Sequence, residues 1–312
     1  QGYFQIYLFP MKKQIDILIV KMRVGRQFPL TVFHYIWPNM IVTKPSGLFM
    51  ENESLESYNL ERQVKLDFYL PTNVQYPGEI SLLLINDGQN LQELGLAEML
   101  EKMYRQNTLR PLLCAGIHAG PDRKTEYGTA KRTDYKGRGA KAYHYTKFVM
   151  EELIPFISMK YQIPTFRNKS FAGFSLGGLS ALDIVWNHPG EFSKAGVFSG
   201  SLWWRTKGLD AGYIEETDRI MHARIREGVF HPGMKFFFET GTLDEVMDRN
   251  NNGIIDSIDD TISLIEELEE KGYQRGRDIM YLELADGKHD IATWARAMPA
   301  YLKWAHGMEN DA

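Results

Sequence analysis

The 312-residue chain has a single cysteine, Cys114, so no internal disulfide can form. Cys114 lies in the apolar run 112–117, where a buried thiol is the expectation. Basic excess is also missing: 36 Lys and Arg stand against 40 Asp and Glu, a net charge of −4. That balance offers no cationic face to a polyanion, which argues against nucleic acid as a partner. No apolar run approaches the ~18 residues of a membrane span. The run 15–20 is short, and Met11-Lys12-Lys13 before it resembles a signal n-region only loosely. Internal repeats and low-complexity linkers are absent. What remains is ordinary for a globular protein, 44% hydrophobic and 24% charged, and long enough for a sizeable core.

Residues 1–54 read as an N-terminal extension whose β-like runs 15–20 and 30–37 suit either an accessory hairpin or an extension of the main sheet. From Arg62 the pattern is regular, and residues 55–312 read as one catalytic domain. Val64, Leu66 and Phe68 alternate with polar neighbours, as a half-buried strand requires. Continuous apolar runs at 80–85 and 112–117 suit strands covered on both faces. Residues 93–105 have helical spacing, and 142–161 look helical with a kink or restart at Pro155. Strands at 170–174, 195–198, 236–240 and 279–284 alternate with helices at 176–188, 261–271 and 291–305. This alternation implies an α/β fold, a mostly parallel sheet with helices on both faces and ligands beyond the strands' carboxyl ends.

At that end lies Gly173-Phe174-Ser175-Leu176-Gly177, a G-x-S-x-G pentapeptide between an expected strand and an expected helix. This is the context of a nucleophile elbow, in which a tight turn lifts the serine above the sheet. A serine hydroxyl needs a base. Four histidines follow Ser175: His222, His231, His289 and His306. His289 alone falls in a loop after a strand and before a helix, so it is the expected base. The acid belongs after the preceding strand, where Asp244 and Glu245 both stand, with Asp244 preferred; Glu239 lies within the strand and fits less well. The oxyanion hole would combine the N–H groups of Leu176 and of Gln89, the latter in the turn Asp87-Gly88-Gln89.

With these pieces stand Glu126-Tyr127, Gly139-Ala140, Glu151-Glu152-Leu153-Ile154-Pro155, His188-Pro189, Ser199-Gly200-Ser201-Leu202-Trp203-Trp204 and Lys288-His289-Asp290. Their order from about residue 55 to 307 resembles the Putative esterase (esterase D-like) family of α/β hydrolases, nearest its enterochelin esterase-like branch. The resemblance implies the α/β-hydrolase fold and a serine carboxylic-ester hydrolase working through a Ser-Asp-His triad and an acyl-enzyme. Its substrates would be small-molecule esters, siderophore-like or carbohydrate-linked. It also implies that Trp203 or Trp204 lines the acyl or alcohol pocket. Arg123, on the loop after 112–117, is a candidate for binding an anionic or phenolic substrate.

A second motif runs from Asp248 to Asp259. Asp248, Asn250, Asn252, Asp256 and Asp259 occupy positions 1, 3, 5, 9 and 12 of a twelve-residue EF-hand-like loop, with Gly253 at 6 and the Ile254 carbonyl at 7. Asp259 stands where Glu is usual. The expectation is a single structural Ca²⁺ that steadies the segment carrying the acid, with no organic cofactor. An ordinary Asx-rich turn capping the next helix would use the same residues. Modest calcium affinity leans towards a periplasmic or secreted setting, while compartment and oligomeric state are not readable. Two other functions fit the residues: an acyltransferase with the same triad, or a calcium-stabilised binding module without turnover.

Overall fold

The computed structural model describes the backbone of strands β1 (Gln5–Pro10), β2 (Asp16–Met22) and β3 (Leu30–Tyr35), then residues 47–72, 74 and 77–308. The chain divides into two units, 1–43 and 44–312. In the first unit β1, β2 and β3 form an antiparallel sheet in sequence order.

The second unit is built on eight strands: β4 (Leu48–Ser57), β5 (Arg62–Pro71), β6 (Ser81–Asn86), β7 (Leu112–Ile117), β8 (Lys169–Phe174), β9 (Lys194–Phe198), β10 (Lys235–Leu243) and β11 (Ile279–Lys288). Their spatial order is β11-β10-β9-β8-β6-β7-β5-β4. Contacts from β7 through β11 are parallel, and β5 pairs antiparallel with both β7 and β4. This is the α/β-hydrolase arrangement expected from the strand–helix alternation.

Alternate side chains of the central strands enter opposite cores, which is why these strands read as unbroken apolar runs. Leu82 and Leu84 of β6, with Leu113, Ala115 and Ile117 of β7, join one core. Leu83, Ile85, Leu112 and Cys114 join the other. Cys114 is fully buried, and burial pushes its thiol pKa up, so it is the inert core thiol expected. The helix Leu176–Asn187 is buried along nearly its whole length. Each fully buried Leu, Ile or Val there contributes roughly 1.5–3 kcal/mol.

Three boundaries differ from the sequence reading. Residues 48–54, assigned to the N-terminal extension, belong to β4, paired with β5 from Leu48↔Pro71 to Ser57↔Arg62. The restart expected at Pro155 falls at Ile154, where Ile154–Lys160 begins with the proline in its first turn, and a π-helical turn, Phe148–Leu153, which the sequence reading did not contain, precedes it. The strand expected at 279–284 runs on to Lys288, with a register irregularity opposite Gly241–Leu243.

Candidate active site

Ser175 follows β8 directly and precedes the helix Leu176–Asn187, with φ 54° and ψ −120°. A non-glycine residue in that region costs on the order of 1–3 kcal/mol and must be held by its surroundings. The holding contacts are clear. Ser175 N–H donates to the Phe198 carbonyl at 2.8 Å, and the Ser175 carbonyl accepts from Ser201 N–H at 3.1 Å and from Gly178 and Leu179. Gly173 is required by the turn, since a Cβ there would lie 2.4 Å from the Gly177 carbonyl group. The Ser175 hydroxyl therefore stands at a helix N-terminus, beside N–H groups the helix cannot satisfy itself.

Beyond β6, Asp87 takes a left-handed conformation (φ 61°) and Gln89 is exposed at the turn. The turn is braced from below. Asn86 Nδ2 donates to the Gly177 carbonyl at 2.8 Å, Tyr145 donates to Asn86 Oδ1, and Asp87 N–H donates to the Tyr127 hydroxyl at 3.2 Å. The Gln89 side chain donates to Asp87 at 3.2 Å and accepts from Ala119 N–H at 3.0 Å. Strand β6 thus ties the two expected oxyanion donors, Leu176 and Gln89, to one framework.

Arg123 stands on the segment after β7, where the sequence places it. Its guanidinium makes a two-point pair with buried Asp87, at 2.6 and 2.7 Å, and lies over the Tyr127 ring. It acts on the site through its charge, as one of the groups that depress the His289 pKa.

Asp244 and His289 follow the ends of β10 and β11. A Cβ on Gly241 would lie 2.3 Å from the backbone of Gly287, so the two segments cross in direct backbone contact. Desolvation by the surrounding walls holds His289 below the ordinary 6.5, although part of the residue reaches solvent; the Asp244 carboxylate opposes that shift and Arg123 adds to it. The ring meets the Trp294 indole edge-on at 5.3 Å. Burial raises the Asp244 pKa, against the Gly241 N–H, the Ser199 hydroxyl and the His289 charge. Both Asp244 carboxylate oxygens are buried, and among the described residues no donor, the Gly241 N–H and the Ser199 hydroxyl included, reaches them in full hydrogen-bond geometry. Among the described residues no hydrogen bond joins Ser175 to His289 or His289 to Asp244; the Ser175 hydroxyl faces that of Ser201 at 3.4 Å.

Glu239, set aside by the sequence, is 1% exposed and lies beside the acid. Ser199 Oγ, which receives the Trp294 Nε1–H at 2.9 Å, is 3.5 Å from Glu239 Oε2. Burial first and the Asp244 charge second push the Glu239 pKa up to about 8. Its carboxyl is therefore neutral near pH 7. The one sequence signal for this cluster was the Ser199–Trp204 segment, read only for its tryptophans.

Those tryptophans part company. Trp204 is fully buried against Gly128 and Gly139, which corrects its place in the expected pocket. Trp203 is half-buried, carries Arg138 over its ring at 4.7 Å, and lines a cavity.

In the Asp248–Asp259 loop, Asn251 (φ 56°) and Gly253 (φ 84°) turn the chain sharply. Asp248 accepts from Asn252 N–H at 3.1 Å and Gly253 N–H at 2.9 Å, while the Asn250 and Asn252 amides both donate to Asp259 at 3.1 Å. Asp256 is turned away, accepting from the Arg249 backbone at 2.8 Å and its guanidinium at 3.2 Å. Only two carboxylates share the convergent point, and among the described residues no three acidic, His or Cys groups form a metal cluster.

A parallel sheet carrying a serine on a strained strand–helix turn, with an acid and a histidine after the next strands, defines an α/β hydrolase. The sequence profile of the family described as Putative esterase matches residues 57–305. The chain belongs to this family, and with it to the carboxylic ester hydrolases. The Bacillus subtilis (strain 168) protein called "Uncharacterized protein YjcH" is 22% identical over 263 residues, covering 83% of this chain and 98% of that one. Enterochelin esterase from Shigella flexneri superposes with a TM-score of 0.62 at 19% identity, and an IroE-like serine hydrolase from Shewanella oneidensis with 0.60 at 17%. Those alignments cover 81% and 83% of this chain, and 57% and 80% of the two structures. The chain thus spans little more than half the length of the Shigella enzyme. No helix among the described residues is long and apolar enough to cross a membrane.

Proposed function

We propose that this chain hydrolyses small-molecule carboxylic esters through Ser175, with His289 as base and Asp244 as the acid that orients it. The observation that carries the proposal is the strained Ser175 turn, held at a helix N-terminus on the end of β8. Backbone strain of this kind persists where surrounding contacts impose it, and it exposes the hydroxyl. In the first half-reaction His289 takes the hydroxyl proton as Ser175 attacks the ester carbonyl. Leu176 N–H and Gln89 N–H face the developing oxyanion. The protonated His289 then gives its proton to the departing alcohol, leaving an acyl-enzyme. Water, activated by the same imidazole, releases the acid. Because His289 is held below 6.5, it is neutral and ready to accept a proton at pH 7. The hydrogen bond from Ser175 to His289 is one that tightens as substrate binds. Siderophore-like or carbohydrate-linked esters are the substrates suggested by membership of the Putative esterase family, with an enterochelin esterase and a ferulic acid esterase among the similar structures.

The test is pre-steady-state hydrolysis of p-nitrophenyl acetate, with an expected burst of one p-nitrophenol per chain and an acetyl mass increment on the peptide containing Ser175. A burst whose adduct maps to another residue would sink the assignment. Added acceptor alcohols would reveal an acyltransferase through ester products.

We infer further that the Asp248–Asp259 loop binds one structural Ca²⁺ through Asp248, Asn250, Asn252, Asp259 and the Ile254 carbonyl. The convergence of Asp248, Asn250, Asn252 and Asp259 supports this reading, as does the fit of mixed carboxylate and amide oxygens to a hard cation. Asp256 contributes through Arg249, which also pairs with Asp260 and Glu215 and anchors the loop to its neighbours. At calcium a hundredfold above its Kd, melting is expected about 4 °C higher than in chelator. Asp248→Ala should erase the difference, and identical melting of the wild type with and without calcium would refute the site.

A further inference from the structure

A cavity of about 250 Å³ lies between the segment after β9 and the segment after β10. Trp203 lines it, two residues beyond Ser201, whose hydroxyl is 3.4 Å from that of Ser175. Glu245 and Met247, just past Asp244, line it as well. The cavity is therefore flanked by chain that leads directly from the nucleophile's neighbour and from the acid. Lys136, Arg138 and Arg205 bring three cations to it.

These charges are unequally answered. Arg138 is held by Asp134, with its Nε at 2.7 Å from Oδ2. The Asp256 carboxylate in the wall is held by Arg249. Arg205 has no carboxylate partner among the described residues. Its Nη1 makes one long bond to the Trp203 carbonyl at 3.4 Å, and its Nε is buried with no acceptor. The guanidinium lies over the rings of Tyr135 at 5.1 Å and Tyr213 at 5.6 Å. Ring contacts engage its flat face and leave the in-plane N–H donors for an acceptor. Among the described residues the Lys136 ammonium meets the Tyr135 ring, at 5.3 Å, and no carboxylate. A guanidinium in a cavity wall without a carboxylate partner is matched best by a planar anion.

We propose that this cavity receives a carboxylate carried by the ester substrate, gripped by Arg205 with Lys136 beside it. The proposal rests on the Ser175 esterase reading and adds a substrate class to it: esters bearing a second, ionised carboxyl group. Glu245, on the same wall, sets a limit by repelling an anion placed too near the acid. Its own pKa is raised by burial and by Asp256, which softens that repulsion.

Two matched pairs test it: monophenyl adipate against phenyl hexanoate, for a carboxylate on the acyl side, and 4-acetoxybenzoate against phenyl acetate, for one on the alcohol side. In at least one pair kcat/KM should favour the anionic member by on the order of tenfold or more. That preference should shrink as salt rises. Arg205→Met should raise KM for the anionic member far more than for its neutral partner, and Arg205→Lys should restore part of the difference. Equal rates within both pairs, or equal loss of anionic and neutral turnover in Arg205→Met, would overturn the cavity's role. Calorimetry on Ser175→Ala with the same esters separates the two proposals: tighter binding of the anionic member supports the cavity even where turnover fails, and equal binding refutes it.

Discussion

Ser175→Ala is expected to lower kcat for every ester the protein hydrolyses by about a million-fold, the scale on which loss of a serine nucleophile acts when base and acid are intact. The substitution removes one oxygen and keeps the Cβ, so the turn retains the bonds from Ser175 N–H to Phe198 and from Ser201, Gly178 and Leu179 to its carbonyl. Melting should therefore move little, and a large rate loss with an unmoved transition cannot be assigned to misfolding. Among the described residues the Ser201 hydroxyl, at 3.4 Å, is the one that meets that of Ser175. A residual rate in Ser175→Ala that disappears in the double variant with Ser201→Ala would show that Ser201 had taken over the attack. Equal rates in wild type and Ser175→Ala would end the hydrolytic reading. In the wild type, kcat/KM should fall in acid with a midpoint below 6.5, because the base must be unprotonated and desolvation holds His289 below that value.

The elements around Ser175 were legible because their signals are local. A run from Ser170 to Phe174, a glycine on either side of the serine and an apolar helix after it lie within twenty residues. The structure places β8 and Leu176–Asn187 there within a residue or two. Strand β4 was hidden because it carries Glu51 and Glu53 on one face and Glu56 on the other, and its pairing partner lies beyond the turn at 58–61. Lys160 pairs with Glu51 and Glu53 from a distant helix, and no periodicity within 48–57 reports that contact. Pro155 was expected to interrupt a helix, since its ring collides with the carbonyl four residues earlier. The π turn at Phe148–Leu153 re-spaces that carbonyl, and such turns leave no mark in composition.

The site was legible in the same uneven way. Chain order and strand ends singled out His289, yet nothing local could reveal that Arg123 would find Asp87, 36 residues away, and bind it at both nitrogens. The neighbours of Glu239 were hidden for a related reason. Its place inside β10 is correct, but β10 bends at Gly241, and the chain returns Asp244 towards it. Ser199, in a left-handed conformation at φ 43°, then brings its hydroxyl to the same spot. Three residues distant in sequence become one cluster through two backbone turns.

That cluster makes the choice of acid testable, and Asp244→Asn is expected to lower kcat by about ten-thousand-fold. An amide in place of the carboxylate would favour the wrong imidazole tautomer and leave the imidazolium unsupported. Glu245→Gln should cost far less. The charges that bear on His289 are those of Asp244, Arg123 and Asp290, and Glu245 is not among them. A loss in Glu245→Gln equal to that in Asp244→Asn would move the role to Glu245. Glu239→Gln should be the mildest of the three near pH 7, because the carboxyl it replaces is already neutral there. The difference must emerge in alkali. Above about 8 the wild-type Glu239 ionises beside Asp244 and near Ser199, and sets a second negative charge against that of the acid. A change of rate on that limb, present in the wild type and absent from Glu239→Gln, would report this ionisation. Stability follows with a definite sign. Between its ordinary 4.5 and about 8 the folded protein keeps Glu239 protonated while the unfolded chain releases the proton, so this residue costs more stability as pH rises through that window. The melting temperature of Glu239→Gln should therefore gain on that of the wild type from about pH 5 to pH 8, and a gap that stays constant across the window would place the Glu239 carboxyl at its ordinary acidity.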